Sequence, residues 1–338
     1  MEAKVKKYCK KMLPLVSRTF ALGISLLKEP VEIQVGVGYL ICRITDTIED
    51  TAEVSSDVKS KLLKNVAHNL CKKDRQEVLD GIKKVFPLTQ FKGDEYELLH
   101  NTNLVMQCFD TFSKEARAII EKCVLDMASG MAETVCKEEN GKLNGLKNIE
   151  ELKEYCYYVA GTVGELLTKL FVLDRKTITP KIHQKLKERE VDFGLGLQMT
   201  NILKGIFDDY KRGVVFLPLT LLKQNNFTIE TFFKNPNQPD GKQLILDFVE
   251  IIRPYMDRAI EYTFYIPEKE KDIRLFCSLP VLFALRTLKL AKENPYLLLK
   301  DKPLKISRQE VKDLYKQTKK IVADNKKLLE LFEFEKKF

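Results

Sequence analysis

An all-α fold is predicted for this chain of 338 residues by three features of its sequence. Apolar residues recur at the helical period through almost every segment. Alternating strand-like runs, and Asn-Gly hairpin signals between them, are absent. The gaps between periodic stretches are filled by turn and helix-stop residues. A hydrophobic content of 44% supplies a substantial core, and one domain covering residues 1–338 is the simplest organisation.

In chain order, the period predicts helices over residues 3–13, 16–27, 31–52, 57–72, 74–84, 94–108 and 112–137. "EENGKLNG" (Glu138–Gly145) then reads as a loop, and helices follow over 149–173, 179–209 and 218–224. A second loop, "KNPNQPDG" (Lys234–Gly241), precedes helices over 242–264 and 268–292, which are bounded by Pro267 and Pro295. Pro303 stands before a last helix over 307–331. No gap is long or simple enough to be an interdomain linker, and no repeat of fixed period is present.

Composition excludes several function classes. The apolar runs near Ala21–Leu27 and Cys277–Leu285 are too short to cross a bilayer, so no transmembrane helix is expected. The basic N-terminus lacks the apolar stretch and cleavage site of a secretory signal. Eight cysteines without a C-x-x-C pair fit reduced, buried thiols and a cytoplasmic location. Three scattered histidines leave little material for a zinc site or a histidine-centred triad. Any metal would be held by carboxylates, which favours Mg²⁺. The formal charge of +9 suits anionic partners, but the lysines are spread along the chain, which argues against nucleic acid.

Two acidic segments carry the chemistry. In "YLICRITDTIED", Tyr39, Arg43, Asp46, Glu49 and Asp50 fall on one helical stripe of an otherwise apolar helix. Such a stripe faces water, a cation or a cavity, because unpaired buried carboxylates are too costly. Acids paired with Arg43 along a solvated edge are the competing reading. In "GLGLQMTNILKGIFDD", Asn201, Gly205, Asp208 and Asp209 repeat the arrangement, with Gln198 one turn earlier. Acidic stripes on facing helices would suit Mg²⁺ completed by a substrate phosphate, and so a diphosphate leaving group.

With "SRTFALGI", "YCYYVAGTVGELL", "FLP" and "LFCSLP" in order, the chain resembles the squalene and phytoene synthase family of head-to-head prenyltransferases over about residues 16–310. "LFCSLP" and "LKISR" are closer to the squalene synthase pattern. The resemblance implies an isoprenoid-synthase helical bundle around a central apolar cavity, with farnesyl diphosphate as substrate. It implies that Asp46 and Asp50 are metal ligands supported by Glu49, with Asp208 and Asp209 in the second motif. Ser17, Arg18 and Arg43 would meet diphosphate oxygens, with Gln198 and Asn201 also on the substrate. Tyr155 would stand beside the carbocation and released diphosphate. Phe20, Tyr39, Leu197 and Phe276 would line the cavity, where ordinary core packing is the competing reading. NADPH would meet Lys204, Lys305 and Arg308, since an all-α chain offers no dinucleotide-binding βαβ unit.

The match departs at three positions: Gly205 replaces an acid, while Lys204 and Val214 replace arginines. The expectation is Mg²⁺-dependent condensation of two farnesyl diphosphates to presqualene diphosphate and on to squalene. The alternatives are arrest at presqualene diphosphate, dehydrosqualene formation without NADPH, or a degenerate homologue that binds prenyl diphosphates. A monomer is expected. The C-terminal "KKLLELFEFEKKF" is expected to cover the body, with contact at a membrane surface as the alternative.

Overall fold

The computed structural model describes residues 2–138, 142–234, 239–299 and 304–337, without the side chains of 18, 19, 239 and 240. Parts of both expected loops, 139–141 and 235–238, and the break at Pro303 lie outside the described residues.

Chain contacts divide the protein into two compact units: Met1–Lys137 with Glu165–Thr179, and Glu138–Gly164 with Pro180–Phe338. The first holds α1 (Glu2–Val16), α2 (Arg18–Ile24), α3 (Val31–Asp50) and α4 (Ser56–Asn69). It continues through α5 (Gln76–Val85), α6 (Asp94–His100), α7 (Thr102–Phe109) and α8 (Lys114–Cys136). Within this unit α3 is packed by α1, α4, α6, α7 and α8, and it buries Val31, Val35, Val37, Leu40, Ile41, Ile44 and Ile48. The buried threonines of α3 do not interrupt it, because Thr45 and Thr47 donate to the carbonyls of Ile41 and Arg43, four residues back, at 3.0 and 2.8 Å.

The second unit opens with β1 (Leu143–Leu146), α9 (Ile149–Cys156) and a π-helical turn at Tyr157–Gly161; α10 (Thr162–Asp174) follows and passes into the first unit at Glu165. Then come α11 (Pro180–Lys187), α12 (Glu190–Lys211), β2 (Val214–Pro218), α13 (Leu219–Gln224) and α14 (Ile229–Lys234). The chain ends with α15 (Pro239–Tyr265), α16 (Lys271–Glu293), a 3₁₀ turn at Pro295–Leu299, α17 (Arg308–Ile321) and α18 (Asn325–Lys336). α12 is the hub of this unit, packed by α9, the π turn, α15, α16 and β2.

The all-α expectation holds, with one small addition. β1 and β2 pair in parallel, Leu143 opposite Val214 and Asn144 opposite Val215, with an irregularity before Leu146 pairs with Pro218. Helix α12 can turn into β2 because Gly213 takes φ +82° beyond its last turn, where its N–H bonds the Tyr210 carbonyl at 2.9 Å. Three expected helices are also broken. Asn101 ends α6 and donates its side-chain amide to the Glu97 carbonyl at 2.9 Å. Arg189, at φ −132°, separates α11 from α12. Asp324 caps α18 by accepting the Lys327 N–H at 3.1 Å, so the single helix expected over 307–331 is two.

Ile149–Asp174 is helical, long and apolar enough to cross a membrane by length and composition alone, a test that core helices also pass, and 44% of its most apolar stretch is buried. Glycines press the first part of this rod onto α12. A Cβ at Gly164 would lie 1.9 Å from the Glu190 carbonyl oxygen, and one at Gly194 would lie 2.2 Å from that of Ala160. The C-terminal segment covers the body, α18 burying Leu328, Leu331 and Phe332 and packing on α16 while Leu329 and Phe334 stay exposed.

Candidate active site

In the first unit the structure gathers Ser17, Phe20, Tyr39, Arg43 and Asp46 around one face of α3, with Glu49 and Asp50 at its end. Ser17 caps α2, its hydroxyl accepting the Phe20 N–H at 3.2 Å, and it also hydrogen-bonds the Tyr39 hydroxyl. Burial pushes the Tyr39 phenol up to about 12, against the opposing pull of Ser17 and Arg43. The Phe20 ring, 37% exposed as a residue, tilts over Tyr39 with centroids 5.5 Å apart. One turn on, Arg43 pairs with Glu95 of α6 and stands 3.8 Å from Asp46.

Asp46 is where the local electrostatics concentrate. Burial pushes its carboxyl up to about 7; Arg43 pulls it back, and the charges of Asp50 and Glu95 add to the rise. Its side chain still keeps 31% of its surface open. Glu49 is half-buried and Asp50 exposed at the helix end. Lys59 of α4, buried to 5% exposure, donates to the Glu49 carbonyl at 2.9 Å and so places a cation at the C-terminal end of α3. Two residues thus escaped the sequence reading. Glu95 was hidden in an ordinary acidic first turn, and Lys59 was one lysine among many on a surface-type helix.

The second unit holds the other set. Tyr155 is buried on α9, which Asn148 caps at 3.0 Å, and it stacks on Phe216 of β2 with centroids 4.4 Å apart and planes 19° from parallel. Leu197 and Gln198 are half-buried on α12, and Phe276 is buried on α16. Asn201 accepts from Lys204 at 3.3 Å. Burial, then the charge of Lys305, lowers the pKa of Lys204, so these two lysines of the expected reductant set are close enough to repel. Arg308 is exposed in the first turn of α17, and the Arg18 side chain lies outside the described residues.

The second acidic motif differs from the first in its pairing. Asp209 binds Arg212 at 2.7 Å and Asp208 meets Lys211 at 3.4 Å, so both acids have partners three residues on. A Cβ on Gly205 would meet Asp209 Oδ2 at 3.5 Å, an ordinary contact, so the position has room for the start of a side chain. Among the described residues no three His, Cys, Asp or Glu side chains converge into a ready metal cage. That still fits Mg²⁺, which takes one or two carboxylates and completes its shell with water and substrate phosphate. Asp46, crowded by Asp50 and Glu95, is a donor whose repulsions a cation would relieve. The Lys204–Lys305 pair likewise suits an anionic phosphate group.

Residues 13–310 match the squalene/phytoene synthase family. The chain belongs to that family. It is 30% identical over 292 residues to a squalene synthase of Cyberlindnera jadinii, a match covering 86% of this chain and 62% of the relative. It is 30% identical over 293 residues to squalene synthase ERG9 of Saccharomyces cerevisiae, covering 85% and 62%. The chain therefore spans about three fifths of the length of these relatives. Among solved structures, the complex of TcSQS with ligand BPH1237 matches at TM-score 0.80 and 21% identity, over 98% of this chain and 90% of that one. This squalene/phytoene synthase family member has the all-α isoprenoid-synthase fold. Two motifs that mark the family, "YCYYVAGTVGELL" and "GLGLQMTNIL", meet in part through the glycines that bring α12 against the preceding rod.

Proposed function

We propose that the protein is a Mg²⁺-dependent farnesyl-diphosphate farnesyltransferase that condenses two farnesyl diphosphates to presqualene diphosphate and reduces it with NADPH to squalene. The observation that carries this reading is the α3 stripe: Arg43 anchored by Glu95, with Asp46 and Asp50 on the same face, in a chain of this family. Asp46 and Asp50, with Glu49 in support, are the residues that would hold Mg²⁺. Mg²⁺ held by these carboxylates would supply positive charge against the diphosphate oxygens as the carbon–oxygen bond ionises. Arg43 presents a planar fork of donors to the same oxygens, and Glu95 keeps that fork in place. Ser17 adds a hydroxyl, and the Phe20 and Tyr39 rings offer aromatic faces that exclude water and favour a cation.

On the second unit, Tyr155 is held by its stack on Phe216, which supports its assignment as the residue that would meet the carbocation and released diphosphate. Leu197 and Phe276 supply apolar surface, and Lys204 with Lys305 would bind the reductant's phosphate. We place the protein in the cytoplasm as a monomer. The test is to incubate purified protein with farnesyl diphosphate and Mg²⁺, with and without NADPH, and identify products by mass. Squalene is expected only with NADPH, and presqualene diphosphate accumulates without it.

Gly205 and the ion-paired Asp208 and Asp209 favour a second reading, in which the reaction stops early or turnover is lost. Gly205→Asp discriminates. Because the Cβ fits, the variant should fold and raise turnover at limiting Mg²⁺ by about tenfold, the worth of one charge-assisted ligand of ~1.4 kcal/mol. A native protein without product and a variant with product would mark a degenerate homologue. Equal rates for both would remove Gly205 as the reason for any weakness.

A further inference from the structure

The second unit contains an ion-pair relay that the proposed chemistry does not use. Arg286, midway along α16, donates to both oxygens of Glu335 at 2.6 Å, from Nε and Nη2. Its remaining Nη1 donates to Glu310 Oε1 at 2.9 Å. The other oxygen of Glu310, Oε2, accepts the Ser307 backbone N–H at 2.8 Å, while the Ser307 hydroxyl accepts the Glu310 N–H at 3.1 Å. The Glu335 side chain is only 2% exposed, so its charge is desolvated and depends on Arg286. One guanidinium therefore links the end of α18 to the cap of α17, and the residues entering that cap are Leu304, Lys305 and Ile306.

We propose that Arg286 is a positioning residue that fixes the backbone carrying Lys305, with Glu335 as the buried anchor, and so sets the affinity of the Lys204–Lys305 pair for a phosphate-bearing nicotinamide. This rests on the cofactor reading of Lys204 and Lys305 given above. The physical reason is preorganisation. Two like charges held close bind a phosphate better than two that first pay to come together. Lys305 is exposed, and its neighbour Leu304 is buried, so the segment is held by its apolar residue and by the Ser307 cap. Both depend on where α17 begins, and Glu310 is the residue through which Arg286 sets that start. Arg286 needs all three of its outward donors for this, which a lysine cannot supply.

The experiment compares full-length native protein with Arg286→Gln, Arg286→Lys, Glu335→Gln and Lys305→Ala. Amide hydrogen exchange at Ser307 is read in all, together with equilibrium binding of NADPH and the rate of farnesyl diphosphate consumption without NADPH. Arg286→Gln and Glu335→Gln should each speed Ser307 exchange and raise the NADPH dissociation constant by roughly tenfold, with Arg286→Lys in between. The NADPH-independent rate should stay unchanged, which a general loss of structure would not allow. Unchanged exchange in both Gln variants overturns the proposal. So does faster exchange with unchanged NADPH binding, provided Lys305→Ala weakens that binding. If Lys305→Ala binds NADPH as the native protein does, the cofactor reading is the part that fails, and the proposal falls with it. Should Arg286→Gln not fold, Glu335→Gln decides alone.

Discussion

Asp46→Asn is expected to lower turnover by about a hundredfold or more, the consequence of losing roughly 3 kcal/mol of transition-state stabilisation from one charge-assisted ligand. The fold should survive. Asn keeps the shape of the side chain, and burial already disfavours the charged form of this carboxyl, so removing the charge relieves a cost. Arg43 is not orphaned by the change, because its tighter partner is Glu95 and Asp46 stands at 3.8 Å. The measurement is the rate of farnesyl diphosphate consumption at saturating Mg²⁺, beside a thermal melt of the same sample. An undiminished rate would end the catalytic reading of "DTIED". A lost rate with a melting temperature several degrees lower would mean that Asp46 is structural.

The contrast between the two acidic helices gives this prediction its direction. Both stripes were legible as sequence, because three- and four-residue spacings put residues on one helical face whatever the rest of the chain does. What the acids face was not legible. On α3 a single arginine is shared between Asp46 and a glutamate from another helix, which leaves Asp50 and Glu95 pressing on Asp46. On α12 each acid has its own cation one turn later, Arg212 for Asp209 and Lys211 for Asp208. Lys211 and Arg212 thus close i, i+3 pairs at the helix end.

The helical architecture was readable for the same reason as the stripes, and it failed where a short-range signal competes with a long apolar pattern. Asn101, Arg189 and Asp324 each stop a helix inside a run whose periodicity continues beyond them. β1 and β2 were missed because four or five residues cannot display an alternation, and "VVFLP" reads equally well as the start of a helix. The sheet matters more than its size suggests, since Phe216 of β2 is the surface on which Tyr155 stacks. Glu95, Lys59 and Arg286 were invisible for a different reason. Their importance lies in partners that are distant in sequence, and no local pattern marks an ordinary charged residue that will meet one.

Glycine had a hidden role as well, and it supports the largest stability effect expected here. Gly164→Ala would set a methyl group 1.9 Å from the Glu190 carbonyl oxygen, a distance that neither backbone can relieve without moving. Overpacking of this kind costs roughly 3 kcal/mol, and here the obstacle is backbone, which cannot rotate away as a side chain can. Gly194→Ala should behave in the same way, with its Cβ 2.2 Å from the Ala160 carbonyl oxygen. Gly36→Ala is the control. Its Cβ would meet Ile24 and Leu13 side chains at 3.7 and 3.8 Å, ordinary contacts, so the gain of up to about 1 kcal/mol in helix propensity should show as unchanged or higher stability. Denaturant midpoints for the three variants provide the comparison. If Gly164→Ala unfolds at the native midpoint, the close approach of α12 is dispensable, and the glycines of "AGTVGELL" and "GLGLQMT" need another explanation. If it is destabilised as expected, those glycines serve the helix contact that fixes α12, which carries Lys204, Asp208 and Asp209, and the motif reports packing before it reports chemistry.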